Sequence, residues 1–336
     1  MKDKIITLDH GSGGKISNQL INSIFLKHFG NPILNQLHDG AILPAVNKKM
    51  AMSTDSFTVS PLFFSGGNIG HLAVHGTVND IAMCGAIPGY LSTSFIIEEG
   101  VSIEFLEQIT CSMAEAAKKV GVKVVTGDTK VVNKGDVDGI FINTTGIGYI
   151  DSGININARQ AKIGDVIIIN GPIGNHGISI LVTRENLQLD QSISSDTAPL
   201  SDLVYQMLSV TKEIHVLRDP TRGGLATALN EIAQSSNVEI EIEEEKIPIQ
   251  EIVKDTCEIL GYDPLYLANE GKLIAFVPEK HAEKILKKMK NCQYGEQSKI
   301  IGRVVSEDRC EVYLRTEIGG KRMIGMLSGQ QLPRIC

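Results

Sequence analysis

The 336-residue chain has no tryptophan, no cysteine before Cys84, no CxxC pair and no GxxxxGK[ST] loop. Each absence excludes something. Six cysteines scattered at positions 84, 111, 257, 292, 310 and 336 make neither a disulfide framework nor a zinc finger, and they suit a reducing cytoplasm. No stretch approaches the roughly 20 apolar residues that span a bilayer, and Met1–Thr7 lacks a signal-peptide core, so no membrane partner is expected. A formal net charge of −7 argues against nucleic acid as a partner, and the carboxylates suit divalent cations instead. Without a Walker A loop, any nucleotide has to be held by other means.

What is present starts at the far end, Leu332-Pro333-Arg334-Ile335-Cys336. Chain ends are ordered only when something ties them down, and Pro333 keeps the approach from continuing as helix. The reading is a mobile arm tipped with a soft nucleophile. It is not a prenylation box, which places its cysteine four residues from the end.

Length favours two domains. Periodicity predicts a helix over Lys15–Phe29, a strand over Lys49–Phe57, a helix over Ile69–Cys84 and a buried strand over Gly89–Ile97. A Ser-capped helix over Ser102–Val120 stops at Gly121. A strand over Val122–Gly127 empties into Asp128-Thr129-Lys130, and Ile140–Ile150 returns as strand. The pattern lapses around Asp151–Lys162, where the domain boundary is placed. Strands are then expected at Asp165–Asn170, Ile214–Leu217, Lys272–Val277 and about 300–326, with helices at Ala198–Val210, Leu225–Ser235 and Glu279–Lys290. Alternating strands and helices in both halves imply an α+β or α/β fold with helix-covered sheets. The expected divisions are a flexible segment 1–40, domains 41–154 and 155–326, and a tail 327–336.

Asp55, Asp80, Asp128 and Asp219 each lie in an apolar strand or helix beside small or hydroxylated residues, with Glu270 in Asn269-Glu270-Gly271 as a fifth. Singly, each is an ordinary cap or turn former. Together they suit magnesium held with phosphates, and Asp80, inside an apolar helix, would be costly without a partner or a metal. Phosphate handling falls to Gly11-Ser12-Gly13-Gly14 with Lys15 and to Gly223-Gly224, each opening a helix whose first N–H groups face outward. Gly11–Gly14 reads equally as a mobile loop, and a loop that closes over nucleotide would be both. Lys130 and Arg222 could supply positive charge to a transferring phosphoryl group. His71 and His75 read as a packing or surface pair, and Cys84 and Cys111 as core residues.

In this order, His10–Gly14, Ser53-Thr54-Asp55-Ser56, Pro61–Phe64, Gly66–Gly70, Thr126-Gly127-Asp128-Thr129-Lys130, Asp219–Gly224, Ala268–Gly271 and terminal Pro333-Arg334-Ile335-Cys336 resemble the aminoimidazole-ribonucleotide synthetase superfamily. Within it the chain is most similar to the HypE family of hydrogenase maturation factors, the carbamoyl dehydratases. The resemblance implies a PurM-like two-domain fold, with an N-terminal mixed sheet that pairs into a dimer barrel and a C-terminal α/β sandwich. It implies a homodimer that binds ATP through aspartate-bridged Mg2+ at its interface. It further implies that a carbamoyltransferase, HypF, loads Cys336. ATP-dependent dehydration then converts the S-carbamoyl group to thiocyanate, which passes through a HypC–HypD scaffold to the iron of a [NiFe]-hydrogenase. On this reading Cys336, Glu270 and Lys130 are catalytic, with Glu270 the candidate base because its flanking glycine leaves room for the tail. Asp55, Asp80, Asp128 and Asp219 hold metal. Gly11, Ser12, Gly13, Gly14, Lys15, Asn79, Thr126, Gly127, Thr129, Arg222, Gly223 and Gly224 join Asp55, Asp80 and Asp128 around the nucleotide, and Pro333 and Arg334 seat the tail. Two relatives fit less well: selenophosphate synthetase carries a reactive residue near its N-terminus, and thiamine-phosphate kinase gives no reason for Cys336. A scaffold or metal carrier without turnover is the reading from another class.

Overall fold

The computed structural model describes residues 4–189, 191–329 and 331–336; Met1–Asp3 and Gln330, which fall in the expected N-terminal segment and tail, lie outside the described residues. The first predicted helix forms as α1 (Lys15–Leu20), one π turn over Ile21–Phe25, and α2 (Leu26–Phe29). Its apolar residues Leu20, Ile24, Phe25 and Phe29 enter the first core.

β1 (Lys49–Phe57) leads through a small hairpin, β2 (Phe63–Phe64) and β3 (Gly67–Asn68), into α3 (Ile69–Met83). The Asn68 side chain caps α3 by accepting from the amides of Gly70 at 2.8 Å and His71 at 3.2 Å. β4 (Ala86–Glu98), α4 (Ile103–Val120), β5 (Lys123–Val132) and β6 (Ile140–Ile150) complete the first half. Ser102 caps α4 and Gly121 ends it at φ 81°, as its sequence predicts. The sheet order is β1-β6-β4-β5, with β4 and β5 parallel and the other pairs antiparallel, so the sheet is mixed. Strand alternation puts Phe57, Leu91, Thr93, Phe95, Ile142 and Thr144 under the helices. On the opposite face Met50, Met52, Ile87 and Ile96 are exposed.

The second half contains β7 (Asp165–Ile169), α5 (Asn175–Arg184), α6 (Ser201–Val210), β8 (Val216–Arg218), α7 (Gly224–Ser236), β9 (Glu239–Glu243), α8 (Glu251–Leu260), β10 (Ile274–Pro278), α9 (Glu279–Lys290), β11 (Lys299–Ser306), β12 (Val312–Arg315) and β13 (Lys321–Ile324). Its sheet runs β13-β12-β9-β11-β7-β10-β8, antiparallel except where β12 meets β9. Ile167 and Ile169 of β7 pack into one core with α7, whereas Val166 and Ile168 pack into another with α6 and α9. Helices therefore cover both faces. The architecture is the expected α+β arrangement.

Three local expectations need correction. β5 does not end at Gly127 but runs to Val132, so Asp128, Thr129 and Lys130 are strand residues paired with Ser94, Phe95 and Ile96. Cys84 is exposed and Cys111 half-buried, because Cys84 sits just past the end of α3 and Cys111 on a turn of α4 that faces outward. Asn79, expected beside the nucleotide, faces the second half of the chain. It is 1% exposed, donates to the carbonyls of Ala198 (3.0 Å) and Glu270 (3.3 Å), and accepts from the Leu200 amide (2.8 Å). Both its donor hydrogens and its amide oxygen thus join α3 to the second half.

Candidate active site

Asp55 lies on the helix-covered face of β1, opposite Thr144 of β6. Asp80, on α3, accepts a 2.5 Å hydrogen bond from Ser53 Oγ, two residues along β1 on the same face. Burial, and then the Asp80 charge, push the Asp55 carboxyl up to about 6. Asp219 follows β8, and burial with the same Asp80 charge pushes it up to about 7. Glu270 is 4% exposed, and burial followed by the charges of Asp196, Asp219, Asp55 and Asp80 raises it well above the usual carboxylate range. The structure thus gathers Asp55, Asp80, Asp219 and Glu270, from both halves, into one group of mutually repelling carboxylates. Among the described residues no three His, Cys, Asp or Glu side chains come close enough to hold a metal ion by themselves. Magnesium that arrives with a nucleotide needs only one or two carboxylates besides phosphate oxygens, so this donor set fits it.

The raised values have a consequence for stability. The folded chain keeps protons on Asp55 and Asp219 that the unfolded chain, at 3.8, has already lost. The stability these groups contribute is therefore complete below about pH 4 and is lost as pH climbs through 6 and 7. In a chelator, the melting temperature of the Asp219→Asn variant is expected to fall less between pH 5 and 8 than that of the unaltered chain. Mg2+ should raise the unaltered chain's melting temperature more at pH 8 than at pH 5. Parallel pH slopes for the two proteins would refute the assignment.

Cys336 meets the same group. It lines a cavity of about 350 Å3 with Ser56, Thr58, Arg222 and Gly223. Burial, and then the Glu270 charge, push its thiol up to about 12. In this structure the expected arm is docked. The Thr58 amide donates to the Cys336 carbonyl at 2.9 Å and the Ser60 amide to that of Arg334 at 3.3 Å, while Arg334 Nε donates to the Thr58 carbonyl at 2.9 Å. Arg334 also ion-pairs with Asp138 and lies over the Phe141 ring, so it does seat the tail. Pro333 is exposed, and Ile335 is buried in the first core. The room that Gly271 itself gives is filled by main chain and not by the tail, since a Cβ there would lie 1.9 Å from the Asp196 carbonyl oxygen. That glycine lets the loop carrying Asp196 approach.

Asp128 and Lys130 stand apart. In register with Ser94 and Ile96, they share the open face of the sheet and pair with each other at 3.2 Å. The row Asp55–Thr144–Thr93–Gly127 crosses all four strands, about 14 Å at the usual strand spacing. Within one chain, therefore, Asp128 does not join the other three aspartates as a metal ligand, and Lys130 does not face Cys336. Both instead line a cavity of about 510 Å3 at the β5 edge with Gly11, Ser12, Gly13, Thr126, Gly127 and Thr129. The Gly-rich loop is folded on itself there, with Ser12 Oγ donating to the Asp9 carbonyl at 2.9 Å and the Gly13 amide to Ser17 Oγ at 2.9 Å. Gly14 and Lys15, exposed at the start of α1, lie outside that lining. Gly223 and Gly224 open α7 as expected, and exposed Arg222 precedes them over the tail cavity.

Residues 37–150 match the family described as AIR synthase related protein, N-terminal domain, and residues 162–315 match its C-terminal domain. Carbamoyl dehydratase HypE of Cupriavidus necator is 49% identical over 338 residues, covering 100% of this chain and 96% of its own. The chain belongs to the HypE family. Two HypE crystal structures extend the likeness. One, of hydrogenase maturation protein HypE in complex with ATP, superposes with a TM-score of 0.95 at 50% identity, covering 98% of this chain and 99% of that one. The other, of a HypE–HypF complex, gives 0.81 at 48%, covering 94% and 100%. The PurM-like fold of the HypE family is thus the fold of this chain.

Sequence reasoning missed the residues behind the site. Asp196 accepts from the Glu270 amide at 3.2 Å and pairs with Lys272 at 3.0 Å. Burial pushes its carboxyl up, but the Lys272 charge and the Glu270 amide outweigh that and hold it below the usual range. His176 and Arg184, on α5, reach the tail. The one local signal is a histidine in the first turn of a helix, which no spacing rule connects to Cys336. His71 and His75 are a packed pair with ring centroids 6.0 Å apart, as expected, and burial pushes His75 down to about 3.

Proposed function

We propose that this chain is an ATP-dependent carbamoyl dehydratase that works on its own C-terminal residue. It converts an S-carbamoyl group on Cys336 to thiocyanate and so supplies cyanide ligands for the iron of a [NiFe]-hydrogenase. The observation that carries the reading is a terminal thiol docked beside Glu270 and Arg222 next to repelling carboxylates. Membership of the HypE family supports it, as does an ATP-bound HypE of the same fold.

MgATP, when bound, supplies the phosphoryl group, and Asp55, Asp80 and Asp219 are the residues that would hold the metal. The chain's own groups do the rest. An amide oxygen leaves poorly and a phosphate leaves well, so the carboxamide oxygen is phosphorylated first. One N–H proton is lost as the C–N bond gains double-bond character. Loss of the second, with departure of the C–O electron pair on phosphate, leaves S–C≡N. Glu270 is placed to take a proton, and burial makes its carboxylate a stronger base than usual. Arg222, at the mouth of the cavity, offsets charge on the leaving phosphate. The Cys336 sulfur, bonded to the reacting carbon, keeps the intermediate attached throughout.

The open sheet face suits the homodimer. Met50, Met52, Ile87 and Ile96 form an apolar surface of the kind that marks an interface. Asp128 and Lys130 share that face, so a second subunit is what brings them to the carboxylates and Cys336. Met52→Glu is expected to yield a monomer by light scattering; an unchanged dimer would place the interface elsewhere. HypF is the loading partner, supported by a HypE–HypF complex of this fold. HypC–HypD is the acceptor and the cytoplasm the compartment on this reading; among the described residues no helix is long and apolar enough to cross a membrane.

Intact mass spectra after incubation with HypF, carbamoyl phosphate and MgATP test the proposal. A carbamoyl-sized gain that becomes cyano-sized when ATP is added, and is absent from Cys336→Ala, is expected. ATP hydrolysis without any gain at Cys336 would overturn it.

A further inference from the structure

The last three residues are bound by their main chain, and besides Thr58 the side chains that bind it come from α5. The Arg184 guanidinium donates to the Ser60 carbonyl through Nε (2.9 Å) and Nη2 (2.7 Å), and through Nη2 to the Arg334 carbonyl (2.8 Å). His176, fully buried, lies 2.7 Å from the Ile335 carbonyl through Nε2 and 2.8 Å from Ser195 Oγ through Nδ1. The Thr197 amide donates to that same Ser195 Oγ at 3.1 Å. Main-chain groups of fixed polarity therefore stand at both ends of the relay. A carbonyl only accepts, so Nε2 carries the proton. Burial pushes His176 down and so favours the neutral ring, in which Ser195 donates to Nδ1 while accepting from Thr197.

None of these bonds involves the Cys336 side chain. A tail held this way keeps its seat whatever the sulfur carries: a proton, a carbamoyl group or a cyano group. Yet a loading enzyme has to reach the sulfur, and the docked Cys336 packs against the first core, where burial also pushes its thiol up, so the tail has to leave to be loaded.

We infer that His176 and Arg184 are positioning residues forming a main-chain latch, which sets the balance between a docked tail competent for dehydration and a released tail competent for loading. The functional half of this rests on the function proposed above; the latch itself does not. The segment 194–197 extends the coupling, because Asp196, next to the serine that orients His176, holds the Glu270 amide. Seating the tail and aligning the base depend on one loop.

Alkylation of the full chain by iodoacetamide at pH 8, read on the Lys-C peptide 322–336, measures the released fraction without any partner protein. His176→Ala, lacking one buried hydrogen bond, is expected to react about tenfold faster at Cys336. His176→Gln, which keeps a donor, should return most of the way. Arg184→Ala, on a less buried side chain, is the second variant should His176→Ala fail to fold. In single-turnover assays on carbamoylated protein, conversion to the cyano form falls only as far as the docked fraction does, by less than about twofold while the docked tail stays the major form, and loading by HypF is undiminished or faster. Unchanged alkylation in the folded variants, or loading and conversion falling together, would overturn the latch. Absence of cyanide from the unaltered chain would defeat the proposed function and leave the alkylation result standing.

Discussion

Carbamoylated Glu270→Gln protein is expected to keep its carbamoyl mass in MgATP, with conversion to the cyano form slowed about 100- to 10,000-fold, the usual worth of a positioned general base. The substitution preserves shape, and the Glu270 amide still donates to Asp196. It removes the ability to accept a proton at a site where burial and four neighbouring carboxylates have made that ability unusually strong. Loading at Cys336 should continue, since that reaction draws on the released thiol. The loss is thus confined to one step, and intact mass reads both steps on one sample. Conversion at the unaltered rate would assign the base elsewhere, with Asp219, pushed up to about 7, the next candidate.

That assignment came from Asn269-Glu270-Gly271 in the sequence, and it shows where sequence reasoning reaches and where it stops. Strands such as β1 and β6 and the helix α9 were legible to the residue, because alternation or a 3.6-residue period is a local signal. α8 went unassigned although its Ile252, Val253, Thr256 and Cys257 lie at helical spacing, its start being a Gln cap that accepts no side-chain bond. Asp80 and Asn79 are adjacent in sequence yet point about 100° apart around α3, one toward β1 and the other into the second half. Nothing in Asn79-Asp80 tells which of the two faces β1. The tail misled for the same reason. Its order comes from Thr58, Ser60, His176 and Arg184, all remote in sequence, whereas local chemistry suggested only a proline and a free end. Gly271 looked like room for a substrate and is room for Asp196.

The separation of Asp128 and Lys130 from the other carboxylates yields the second large effect. Lys130→Ala and Asp55→Asn homodimers are each expected to be nearly inactive in the cyano-forming assay, through loss of a phosphoryl-stabilising charge and of a metal ligand. If Lys130 of one subunit serves the carboxylates of the other, a heterodimer of the two variants contains one site with both lesions and one with neither. Random reassortment makes about half of all dimers heterodimers, so the mixture should recover roughly a quarter of the unaltered activity. A site completed within a single chain gives one lesion at every site and no recovery. The geometry favours the first outcome, because Lys130 faces outward with Ile96 on the open sheet face while Asp55 lies beneath the helices beside Asp80. Met52→Glu added to either partner separates the two arrangements further. It should abolish recovery by preventing the heterodimer, and complementation that survived it would mean that the subunits meet through a surface other than this sheet.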